Sequence, residues 1–173
     1  MRPASHDELN DLCRGIRTSF VHLETRDAYG TEVELPHLAK WLRGEHDDLA
    51  WLGWWLEVLR GHRAAGRRCR RARIVSEPLS DYQRWTVSHV NVFVDAGEET
   101  SYVARPRLVN ITLPGSGDFY VFDNEQVLFL HYAGNGTNAS FEISEDADLV
   151  ARCAQAFENV WDLSTPARDY RPA

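Results

Sequence analysis

Three strand-like runs, Leu108 to Leu113, Phe119 to Phe122 and Gln126 to Tyr132, follow one another with only turn-forming residues between them. Pro114-Gly115-Ser116-Gly117-Asp118 and Asp123-Asn124-Glu125 supply the turns, and short apolar runs broken this way predict a β-meander. Gly134-Asn135-Gly136 then reads as a hairpin turn into a last strand around Ser140 to Ile143. Ser144, Glu145 and Asp146 offer a cap and negative charge to a final helix. Its stripe of Leu149, Val150, Cys153, Phe157, Val160 and Trp161 is the cleanest helical periodicity in the chain, and Pro166 ends it.

Upstream, Leu9, Leu12 and Ile16 predict a short amphipathic helix, and Thr18 to Thr25 a strand. From Glu34, with Pro36 in the first turn, Leu35, Leu38, Trp41 and Leu42 share a face, with Gly44 closing the end. Asp47 or Asp48 caps a further helix with a core stripe of Leu49, Leu52, Trp55, Leu56 and Leu59. Trp51, Trp54 and Val58 form a second apolar row on it, so it is either sandwiched inside the domain or offers a partner-binding face. Arg73-Ile74-Val75 is a short strand. Pro78 opens a helix carrying Leu79, Tyr82, Thr86, His89, Val90 and Phe93, and Ser101 to Ala104 is a strand. The fold expected is α/β, with α+β as its variant: a mixed sheet of about five or six strands with a meander, packed by helices. One domain spans 1–173, with a helical first third, 1–66, and a sheet-containing part, 67–173.

A net charge of −7 argues against direct binding of nucleic acid, which needs many cations on one face. Cys13, Cys69 and Cys153 are far apart and form no metal or disulfide pattern, which suits reduced thiols. With no apolar run long enough to span a bilayer, a cytoplasmic chain without membrane association is expected.

No nucleophile motif, phosphate loop or paired metal-ligand spacing occurs, so no catalytic residue, metal or cofactor is expected. His22, His89 and His131 lie on element faces where a hydrogen-bonded core histidine is the plainer reading. Arg67-Arg68-Cys69-Arg70-Arg71 reads as a solvated ramp before a strand. A small-molecule pocket, if built, is expected beyond the carboxyl end of the Ile74-Val75 strand. Ser76, Glu77, Tyr82, Arg84 and Arg105 would line it, the arginines suiting a nucleotide or phosphate.

Phe20 to Tyr29, Val75 to Arg84, Asn91 to Glu98 and Phe119 to Asp123 resemble an uncharacterised actinobacterial family, a domain of unknown function encoded beside helix-turn-helix regulators. The resemblance implies a regulatory or toxin–antitoxin-like setting. The second half, with Phe157-Glu158-Asn159-Val160-Trp161 in its last helix, is similar to degenerate phospholipase-D-like sensor domains. The H-x-K-x4-D motif of that superfamily's enzymes is missing, because His37 lies one residue too far from Lys40. The function expected is a non-catalytic regulatory domain that binds a protein partner, a helix-turn-helix regulator or a toxin–antitoxin-like protein, through Trp51, Trp54 and Val58. The alternative is a nucleotide or phosphate sensor or a cryptic phosphodiesterase-like enzyme, and a homodimer is compatible with either.

Overall fold

A computed structural model describes residues 1–115 and 117–173. It is an α+β fold on one mixed sheet. The strands are β1 (Arg2–Ala4), β2 (Ser19–Glu24), β3 (Arg68–Val75), β4 (Glu98–Ala104), β5 (Asp118–Phe122), β6 (Gln126–Tyr132), β7 (Asn138–Ser144) and β8 (Thr165–Pro166). Their order is β1-β7-β6-β5-β2-β3-β4-β8. The helices are α1 (His6–Gly15), α2 (Leu35–Leu42), α3 (Gly53–Ala64), α4 (Asp81–His89), α5 (Asn91–Ala96) and α6 (Ala147–Trp161).

β2, β3 and β4 run parallel, as strands joined by helical crossovers do. β5, β6 and β7 form the antiparallel meander, and β5 joins it to the parallel part by pairing with β2. At the β5–β6 turn Asp123 and Asn124 both take left-handed backbone, which Asp and Asn tolerate better than most residues. The Asp123 carboxylate also accepts from the backbone N–H groups of Arg17, Thr18 and Ser19 at 2.8 to 3.0 Å, fixing the start of β2 against the hairpin.

Helices cover both faces. On one, α6 is capped by Asp146, whose carboxylate accepts from Leu149 N at 2.8 Å. It buries Val150, Cys153, Phe157 and Val160 against Val21, Leu23, Ala72, Ile74, Val103, Phe119 and Val121. The opposite face packs α1, α3 and the 3-10 turn Ala50–Leu52 before α3, through Leu9, Cys13, Leu52, Leu56 and Leu59, against Phe20, Cys69, Tyr120 and Phe122. No helix among the described residues is long and apolar enough to cross a membrane.

Several expectations need correction. Among the described residues the sheet has eight strands where five or six were expected, because two short edge strands, β1 and β8, join it; the arginine run only lengthens β3. The first third is not simply helical, since β2 lies near the middle of the sheet. Leu108 to Leu113 is not a strand: a short 3-10 turn, Arg105–Leu108, leads into irregular backbone. Pro106 and Pro114 bracket that run and lack the N–H a ladder needs. The third meander strand is β7. The helix expected from Pro78 through Phe93 breaks at Val90 into α4 and α5. α2 forms where expected but buries no residue, with Leu35 and Leu42 exposed.

Candidate functional site

Side chains alternate across a strand with period two, so each buried strand writes one sequence onto each face of the sheet. In β2, β3, β4 and β5 the face toward α6 is apolar at its centre, through Val21, Leu23, Ala72, Ile74, Val103, Phe119 and Val121, with Arg70 paired to Glu158 at its edge. The other face carries His22 and Glu24 on β2, Arg71 and Arg73 on β3, Glu98 and Thr100 on β4, and Tyr120 on β5. The register pairs His22 with both Arg71 and Tyr120, and Glu24 with Arg73, so the row is continuous across the sheet.

These groups form one ionic network. Arg71 donates Nε and Nη2 to the Glu98 carboxylate at 2.9 and 3.0 Å, and Nη1 to Glu24 Oε1. Glu98 also accepts from the Thr100 hydroxyl at 2.8 Å. Arg73 Nη1 lies 2.9 Å from Glu24 Oε2, an ion pair set off the direction that would make a good hydrogen bond. Burial disfavours charge on both arginines, but Glu98 and Glu24 outweigh it for Arg71, and Glu24 does so for Arg73, so both stay charged. His22 stacks on Tyr120 with centroids 3.7 Å apart. Burial, then Arg71 and Arg73, pushes it well below the ordinary imidazole value and keeps it neutral.

Glu24, Arg71, Arg73 and Tyr120 of this row line a cleft of about 620 Å3, within the roughly 300–1,000 Å3 of small-molecule sites. Trp51, Trp54, Trp55, His89 and Phe93 supply aromatic walls. Trp51 stacks on His37, at 4.6 Å, and on Trp85, at 6.1 Å. His37 Nδ1 in turn meets the Asp47 carboxylate at 2.5 Å. Gly30 to Glu34 and Thr137 to Asn138 form part of the rim. Gly30 N donates to Gly136 O at 2.9 Å, and a Cβ at Gly30 would stand 2.6 Å from Asn135 O, so that close approach requires glycine.

Buried polar atoms without a hydrogen-bond partner concentrate here. Glu24 Oε2, Arg73 Nε and Nη1, Trp51 Nε1, Trp55 Nε1 and His89 Nδ1 all belong to residues lining the cleft. Leaving such a group unmet costs about 1–3 kcal/mol. Burial, then Arg73, lowers His89 to about 4, so it too is neutral near pH 7. Cys13 also lines the cleft, but burial pushes its thiol up to about 12, which removes it as a nucleophile.

The family described as Domain of unknown function (DUF6879) matches residues 7–172. The chain belongs to this family. The matched span includes every residue of the ionic row and all the aromatic wall, so the cleft lies within the DUF6879 domain. A comparison with curated proteins finds no match.

The structure distributes the residues singled out in the sequence differently. Trp51 and Trp54 both line the cleft of the DUF6879 domain, while Val58 is half-buried outside it. Trp54 is 40% exposed, with the Arg14 guanidinium 4.8 Å from its ring centre. None of Ser76, Glu77, Tyr82, Arg84 and Arg105 lines this cleft. Ser76 and Arg105 are tied to Asp27, with Arg105 Nε donating to Ser76 Oγ at 3.1 Å. Glu77 accepts from Tyr170, and Tyr82 donates to Glu34 at 2.8 Å from a buried position. Arg84 pairs with Asp81 in solvent.

The arginine run is not a solvated ramp. It is the first half of β3, in which Arg70 and Arg71 are largely buried. Arg70 turns to the α6 side, paired with Glu158 and 5.0 Å from the Phe157 ring centre. Among the described residues no group of three or more His, Cys, Asp or Glu side chains is placed to hold a metal ion. Sequence reasoning missed Glu24, Arg71, Arg73 and Glu98 as a set. A signal existed in the period-two spacing of His22 with Glu24 and of Arg71 with Arg73, each beside apolar neighbours on the other parity.

Proposed function

We propose that this domain binds a small organic molecule in the cleft between the charged row of the sheet and the tryptophans of the 3-10 turn Ala50–Leu52 and of α3. The observation that carries the reading is the set of unpartnered buried polar atoms on Glu24, Trp51, Trp55, Arg73 and His89, gathered around one cavity of ligand size. Polar groups that only stabilised the fold would be satisfied by each other, as Arg71 and Glu98 are. The role proposed is recognition: of the groups lining the cleft, burial pushes the Cys13 thiol up to about 12 and His89 down to about 4.

The reading is tested by thermal-shift and tryptophan-fluorescence screening against a library of neutral, anionic and cationic metabolites. A ligand at about 100 times its Kd adds roughly 2.7 kcal/mol, so Tm rises visibly, and Arg73→Ala and Trp51→Ala should each remove the shift. A library that moves neither signal would refute it.

A second reading, a regulatory domain that docks on a protein such as a helix-turn-helix regulator, draws support from exposed Val33, Leu35, Leu42 and Trp54. It is compatible with the first, since α2 follows the rim segment Gly30 to Glu34 directly. Leu42→Ser with Trp54→Ala should weaken co-purification with a co-expressed regulator, and unchanged recovery would discard that surface.

A further inference from the structure

Resting on the cleft-binding reading, we infer that the ligand is an uncharged planar heterocycle carrying a lactam edge, an N–H beside a C=O. The first argument is charge. The arginines of the row, Arg71 and Arg73, face the carboxylates Glu24 and Glu98, so the four formal charges cancel. Arg71 is held between the two carboxylates, its Nε, Nη1 and Nη2 each donating one N–H to Glu24 or Glu98, so its charge is already met. Glu32 and Glu34 stand on the rim and add negative charge where an anion would have to pass. Among the described residues lining the cleft, Arg71 and Arg73 already face carboxylates, so a phosphate or carboxylate meets no uncompensated cation, which sets this site apart from a nucleotide-phosphate pocket.

The second argument is the pattern of what remains. Glu24 and Arg73 are 5% and 8% exposed, and their unsatisfied atoms lie side by side, the acceptor Oε2 2.9 Å from the donor Nη1. A carboxylate oxygen keeps a further lone pair beyond its ion pair, and a guanidinium N–H off the pairing axis is still free to donate. An acceptor beside a donor complements a group that presents a donor beside an acceptor, which is the edge of a lactam. Carboxylates accepting from ring N–H groups and arginines donating to exocyclic oxygens are the pairings by which proteins read such edges.

The third is shape. Trp51 and Trp55 bring two further unpartnered N–H donors, and together with Trp54, His89 and Phe93 make walls suited to a flat ring with additional acceptor atoms. His89, held neutral, adds one nitrogen able to donate or accept according to its tautomer.

The experiment is calorimetric titration of the full chain with two matched pairs, uracil against 1,3-dimethyluracil and hypoxanthine against adenine, together with benzoate and inorganic phosphate. In each pair the second compound lacks the lactam N–H. The lactam member of at least one pair should bind roughly 10- to 100-fold more tightly than its partner, as one well-placed bidentate contact discriminates. Glu24→Gln should abolish that ratio. Because removing a charge from the row is capable of unfolding the chain, Trp55→Phe serves as a second variant: it keeps the ring, deletes one donor, and should weaken both members while preserving their ratio. Equal binding within both pairs, or tighter binding of benzoate or phosphate, overturns the lactam inference and leaves the cleft reading standing. If these six compounds and the metabolite library all fail to bind, both fall.

Discussion

The two faces of the central strands are built from the same residues in alternation and solve opposite problems. Toward α6, Val21, Leu23, Ala72, Ile74 and Val103 meet Val150, Phe157 and Val160 in an apolar core that asks nothing of hydrogen bonding. Toward α3, the intervening positions place Glu24, Arg71, Arg73 and Glu98 in a buried row where each charge depends on another. An apolar core of the same volume would be at least as stable as such a network. The difference teaches that one face is devoted to stability while the other carries a constraint that packing alone does not explain.

The largest effects should come from damaging either face. Phe157→Ala, at a fully buried position, should cost about 3–5 kcal/mol by leaving a cavity. Arg71→Ala should cost a similar roughly 3–5 kcal/mol by leaving Glu24 and Glu98 uncompensated. Urea unfolding measures both. The faces separate when the whole row is replaced: Glu24→Leu, Arg71→Met, Arg73→Met and Glu98→Leu together should be neutral or stabilising by about 1–4 kcal/mol while ligand binding in the cleft disappears. A quadruple variant much less stable than the parent would break the comparison, making the charged row a structural necessity.

Somewhat smaller effects should appear with pH on the charged side. His89 falls from 6.5 unfolded to about 4 folded, so the unfolded chain binds more protons between those values. Its share, about 3 kcal/mol, is present above pH 6.5 and is lost as pH falls toward 4. Asp118, on β5, behaves oppositely. Burial raises it from 3.8 to about 6 despite hydrogen bonds from Tyr29 and Thr25. Its share, again about 3 kcal/mol, is present below pH 3.8 and is lost as pH rises through 6. Urea titrations from pH 3.5 to 7.5 should therefore show partial cancellation in the parent, a flatter acid limb in His89→Phe, and a steeper loss with acid in Asp118→Asn. Phe157→Ala should shift the whole profile without changing its shape.

The smallest effect sharpens the comparison at a helix end. Asp146→Ala removes the cap of α6 and should cost about 1 kcal/mol. The Tm should drop, and ligand affinity in the cleft on the opposite face should not change. A loss of affinity would mean that the two faces are coupled through the sheet.

The sequence by itself determined the elements whose signal is local. The α6 stripe, the Asp146 cap, two of the three runs of the meander, the start of α2 and the strand after Thr18 all follow from periodicity, capping and turn chemistry within a few residues. That the chain lies in an uncharacterised family was also legible from its motifs, and the DUF6879 match bears this out at that coarse level. The candidate site was not legible. The period-two spacing of Arg71 with Arg73 is the local trace of a strand face, but it does not show what compensates the charge, because the partners Glu24 and Glu98 lie 47 and 27 residues away and meet Arg71 only through parallel pairing. A cluster of arginines in an acidic chain reads as solvated until strand order places carboxylates on both sides of it. Tertiary structure alone decided that, since burying a charge is tolerable only where an opposite charge is brought to meet it, and strand pairing is a long-range event.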